Sequence, residues 1–111
     1  MGKKSTMSGM LIGWTTTSNR DDAEKLAAGA VESELAACCQ IDGPFLSVYR
    51  WKGEIQKDEE FRLTFKFLSR NAEALESWLY EQHPYENPQW VAVAAERISE
   101  KYLNWVREES K

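Results

Sequence analysis

Residues 61–67, Phe-Arg-Leu-Thr-Phe-Lys-Phe, alternate apolar and polar without a break. Strict alternation places all the apolar side chains on one face of a strand and the polar ones on the other. Upstream, Phe45 to Trp51 is aromatic and β-branched, and Lys52-Gly53 separates the two runs. Glycine supplies the positive φ of a two-residue turn, so 41–51 and 54–67 read as one long hairpin. Before it, Leu11 to Thr16 reads as a first strand. Ser18 or Asn19 then caps a helix over 20–34, with Asp21 and Asp22 at its positive dipole end. In that helix Ala23, Leu26, Ala27, Ala30, Val31 and Leu35 recur at helical spacing. A second helix starts near Ser69 or Asn71 and carries Ala72, Leu75, Trp78 and Leu79 on one side. It stops before Pro84, which cannot continue the bonding pattern. Past Pro88, Trp90 to Ala95 is an almost unbroken apolar run, as an interior strand requires. Ser99 caps a last helix bearing Tyr102, Leu103 and Val106. The order is β-α-β-β-α-β plus a terminal helix, an α+β fold of the ferredoxin-like sandwich kind.

Composition narrows the function. A chain of 111 residues with 42% hydrophobic content makes one domain with one core, expected over 10–111 behind a disordered leader at 1–9. A net charge of −4 and a pI near 5.1 argue against binding a nucleic-acid backbone, which needs clustered Lys and Arg. No apolar run approaches the roughly 20 residues of a membrane span, so no membrane partner is expected. Residues 1–10 are polar and lack the apolar segment of a signal peptide. Gly2 with Thr6 matches the myristoylation pattern, a short pattern read here as part of the leader. Cys38 and Cys39 are adjacent, and neighbouring Cβ atoms on extended backbone point apart, so they are expected to stay reduced and unbridged. A reducing, cytoplasmic location follows.

Candidate chemistry is sparse. Thr16, Thr17, Ser18 and Arg20 lead into a helix N-terminus, where hydroxyls and free N–H groups suit a small anion. His83 is the single histidine and a candidate metal ligand, as are the thiols of Cys38 and Cys39 for a soft metal, but it is expected as a surface residue before a proline turn. Tyr85 and Glu86, with Glu81, are placed to line a small polar cleft. Asp58-Glu59-Glu60 reads as a solvated charge run, and at least one of the two cysteines as a small buried hydrophobe. One histidine supports no Ser-His-Asp or Cys-His set, so no enzyme is expected.

Four segments carry a family resemblance: Leu35-Ala36-Ala37-Cys38, Ser47 to Gly53 with Ile55, His83-Pro84-Tyr85-Glu86 with Pro88, and Tyr102-Leu103-Asn104-Trp105. Together, in this order, they resemble the CutA divalent-cation-tolerance proteins over about residues 11–106. The resemblance implies a homotrimer built like the PII signalling proteins and an association with copper or another divalent cation. Some members hold copper with a cysteine ending the first strand and two consecutive histidines before Pro-Tyr. Here Trp14, Gln82 and His83 occupy those positions, so the expectation is a weak metal site or none. The usual proline after the first strand is likewise replaced within Thr15-Thr16-Thr17.

Lengths point to self-association too. A 14-residue strand spans roughly 46 Å and a 15-residue helix roughly 22 Å, so two helices leave the far hairpin uncovered. Tyr49, Trp51, Ile55 and Trp105 are the expected trimer contacts. The competing reading is a PII-like sensor holding an anion between subunits near Thr16 to Arg20. An acylphosphatase would need a phosphate-cradling loop beyond Asn19-Arg20, and an RNA-recognition module a basic aromatic strand that Phe61 to Phe67 does not provide.

Overall fold

A computed structural model describes residues 8–111. The myristoylation pattern and most of the expected leader lie outside the described residues. The elements are β1 (Met10–Thr17), α1 (Arg20–Glu32), β2 (Cys38–Trp51), β3 (Glu54–Leu68), α2 (Ala72–Gln82), β4 (Val91–Ala94) and α3 (Glu100–Glu108). The strands form one antiparallel sheet in the order β2-β3-β1-β4.

The alternation of β3 decides which face is covered. Leu63, Phe65 and Phe67 are fully buried and meet Ala23, Leu26, Ala30, Leu75 and Leu79 of α1 and α2. Trp90 closes this core with its ring edge-on to Phe65, centroids 5.7 Å apart. On the opposite face, α3 covers one end of the sheet, where Val106 is buried among Met10, Ala37, Leu68 and Ala95. Asn19 caps α1 by accepting from the Asp22 N–H at 2.8 Å, as its side chain suggested. Glu34 at φ 64° turns the chain out of α1, which therefore ends two residues earlier than its apolar stripe implied.

Three further details differ from the pattern reading. β2 begins at Cys38 instead of residue 41, because Cys38, Cys39 and Gln40 already pair with Lys66, Phe65 and Thr64. A 3-10 turn at Ser69–Asn71 precedes α2. The third is larger: β4 is an edge strand, not an interior one. It pairs with β1 alone, and Val91 and Val93 are about half exposed in the single chain.

The hairpin turns at Lys52-Gly53, both at positive φ, as the sequence indicated. Between Asp42 and Phe45 a bulge shifts the register of β2 on β3. Gly43 sits there at φ 132°, with the Glu60 carbonyl 2.9 Å from where a Cβ would lie. Beyond this bulge the hairpin projects past the helices, and Leu46, Val48 and Ile55 are each more than half exposed.

Candidate functional site

The C-terminal end of β1 organises a polar cluster that reaches into the fold. Thr15 and Thr17 lie opposite Leu63 and Phe61, so the pleat sends them to the helix face, while Thr16 faces the other way beside Arg62. His83 follows the last turn of α2, where its N–H bonds the Leu79 carbonyl at 2.8 Å. Its Nε2 lies 2.9 Å from the Thr16 carbonyl and 3.1 Å from the Thr15 hydroxyl. A carbonyl only accepts, so Nε2 bears the proton, and Nδ1 is left to accept the Tyr85 N–H at 3.1 Å. One neutral tautomer satisfies all these bonds. Burial lowers the His83 pKa, outweighing the Thr16 carbonyl and the more distant Asp22 and Glu60 carboxylates.

His83 is thus not the surface histidine expected; only 8% of it is exposed. Its neighbours in sequence are polar, and the partners that bury it lie 67 and 68 residues away. Nor does it offer a metal a free ring nitrogen. Trp14 and Gln82 supply no imidazole or thiolate, and no three His, Cys, Asp or Glu side chains converge among the described residues. Cys38 and Cys39 are free thiols, and burial, then its neighbour Cys38, pushes the Cys39 thiol up to about 12, away from the thiolate a metal needs. The residues present do not fit a copper ion within one chain.

The anion loop is also differently arranged. Thr17 donates to the Asn19 carbonyl at 2.7 Å, Arg20 pairs with Glu24 at 3.0 Å in solvent, and Ser18 is exposed. Thr16 reaches the cluster, and its hydroxyl donates to Glu60 Oε2 at 3.2 Å. The Tyr85 hydroxyl donates to the same oxygen at 2.8 Å. Burial, reinforced by the Glu60 bond, raises the Tyr85 pKa, so the phenol stays protonated and keeps donating. Glu60 is therefore no solvated member of a charge run. Its signal was in the strand period: position 60 shares a face with Arg62, beside Thr16 on the adjoining strand. Asp58, one step along the same face, accepts from the Tyr49 hydroxyl, which raises the Tyr49 pKa.

These groups open onto a cleft of about 660 Å³ bounded by Thr16, Tyr49, Trp51, Glu60, Tyr85 and Pro88. Glu86 lines it as expected, whereas Glu81 is exposed on α2 and does not. The expected assembly contacts, Tyr49, Trp51, Ile55 and Trp105, are all exposed at 39–58%.

Residues 11–109 match the family model of the CutA1 divalent ion tolerance protein. The chain belongs to the CutA family. It is 34% identical to the divalent-cation tolerance protein CutA of Thermus thermophilus, covering 84% of this chain and 90% of that one. With the CutA homolog of Xenopus laevis it shares 35% identity over 96% of its length and 71% of the relative's. It spans about half the length of the human and mouse CutA proteins. The solved structure of CutA from Synechococcus elongatus superposes with a TM-score of 0.90 at 35% identity, covering 96% of this chain and 94% of that one. The CutA fold is thus the fold of this chain, and no helix among the described residues is long and apolar enough to cross a membrane.

Proposed function

We propose that this CutA protein works as a cytoplasmic, non-catalytic homotrimer in the tolerance of, or response to, divalent cations, copper among them, and that a single chain holds metal weakly or not at all. The carrying observation is the apolar surface left open past the bulge and along β4: Leu46, Val48, Ile55, Val91 and Val93. An uncovered edge strand and an uncovered arm invite pairing, and closure around a threefold axis satisfies both without open-ended growth. The weak-metal part is supported by His83, whose two ring nitrogens are already engaged. The PII-like alternative, an anion held near Thr16 to Arg20, is disfavoured because Glu60 already receives the Thr16 donor.

Light scattering after size exclusion tests the assembly. The expected mass is three times the 12.8 kDa chain, held from micromolar down to nanomolar concentration. Trp51→Glu should lower that mass, and the same change at exposed Lys57 should not. A folded monomer at micromolar concentration would overturn the reading.

A further inference from the structure

The cluster expected to cradle an anion from solution has an anion of its own. Thr16 and Tyr85 both spend their hydroxyl protons on Glu60 Oε2. Glu60 Oε1 accepts no hydrogen bond from the described residues, and no cation pairs with this carboxylate, since the two ion pairs among them are Arg20–Glu24 and Arg62–Asp42. Glu60 lines the cleft, and a carboxylate with an oxygen lacking a donor is a receptor for one. Glu86 adds a second negative charge to the cleft wall, against a single guanidinium, Arg50, whose Nη1 bonds the Gly53 carbonyl at the hairpin tip. Of the remaining wall, Val48, Tyr49, Trp51 and Pro88 give an apolar and aromatic part, beside the neutral polar Ser47, Asn87 and Gln89.

We infer that this cleft binds a small organic ammonium compound, its N–H donating to Glu60 Oε1 and its apolar body lying along Val48, Tyr49 and Pro88. A further anion is excluded by charge, because Glu60 already occupies the donors. A divalent metal ion is a poor fit, because it asks for several converging oxygens, and no three His, Cys, Asp or Glu side chains converge to hold one among the described residues. An ammonium group needs only the acceptor that is free, and an aromatic wall attracts it further. The inference depends on the assembly reading in one respect, since Tyr49 and Trp51 are also proposed subunit contacts; the cleft would then open at the seam between chains.

The test uses the full chain, ¹⁵N-labelled, titrated with benzylamine at neutral pH, with benzyl alcohol as the uncharged isostere, benzoate as the anion and calcium chloride as the metal. Benzylamine should shift the amide signals of Thr16, Glu60 and Tyr85, with benzyl alcohol about tenfold weaker or worse and benzoate inactive. Glu60→Gln should weaken benzylamine by about tenfold at unchanged particle mass. Tyr85→Phe, which keeps the carboxylate and removes one donor holding it, should weaken it less. Equal binding of the amine and the alcohol, no response to benzylamine, or the same shifts from calcium would overturn the inference. So would a fall in mass with Glu60→Gln, which would assign the missing cation to a second copy of the chain. A wild-type monomer that still binds benzylamine would sink the assembly reading and leave this one standing.

Discussion

On the two sides of the bulge at Gly43, the β2-β3 hairpin meets different surroundings. On the near side, Leu63, Phe65 and Phe67 are wholly enclosed by α1, α2 and Trp90. On the far side, Leu46, Val48 and Ile55 carry similar hydrophobicity into open solvent. The strands, their register and their bonding continue through both halves; only the cover differs. Apolar patterning therefore states that a surface is to be covered, without saying by what. Where the chain owns a helix of the right length, the cover is internal. Past the reach of its helices, the cover proposed above is another chain.

The sharpest way to break this comparison is to cut into the covered half. Phe65→Ala should cost about 3–5 kcal/mol in urea unfolding followed by circular dichroism, because the rigid neighbours Trp90 and Phe67 cannot collapse into the void. A loss below about 2 kcal/mol would mean that this half is no better packed than the arm.

A smaller change sharpens the boundary itself. Gly43→Ala forces an L side chain into φ 132° and drives its Cβ against the Glu60 carbonyl, a backbone atom that cannot swing aside. The expected cost is about 1–3 kcal/mol by thermal unfolding, with hydrogen exchange accelerating first in the arm amides of residues 45–60. Uniform acceleration across β1 and α1 would show that the bulge does not divide the sheet.

The limits of legibility follow the same line. β3 could be read residue by residue, because alternation is a local signal and its apolar positions, Leu63, Phe65 and Phe67, are the ones enclosed. The turn at Lys52-Gly53 was legible for the same reason, since a positive φ is written into glycine. β4 was not, because an apolar run announces two faces needing cover and is silent on whether strands or subunits provide it. The site was harder still. His83 and Glu60 look like solvated groups in the chain, and they become buried or half-buried through partners 25 to 68 residues away. The Thr16 to Arg20 segment offers hydroxyls ahead of a helix in the sequence, and no local pattern tells that the Thr16 hydroxyl meets a carboxylate from β3.

The smallest expected effect concerns the proton that joins the two halves. His83 belongs to the covered half through Thr15 and Thr16, and its Nδ1 holds the Tyr85 N–H, while the Tyr85 hydroxyl holds Glu60 at the root of the arm. Its folded pKa lies below the ordinary value of about 6.5, so the unfolded chain takes up the proton first as pH falls. His83 therefore contributes its stability in full above about pH 6.5, and that contribution is lost as pH drops from there through the lower folded value. Protonated Nδ1 would face the Tyr85 N–H donor to donor. The carboxylates of Asp22 and Glu60 oppose this loss in part, which keeps the effect modest. Gln at position 83 offers an amide donor and acceptor without a titrating group. Urea unfolding of wild type and His83→Gln between about pH 8 and pH 5 should thus diverge only below about 6.5, with the wild type falling more steeply. Parallel curves through that window would show that the proton on His83 has no hold on the junction. Divergence accompanied by faster exchange at Tyr85 and in the arm would show that the junction between the covered and open halves loosens with that proton.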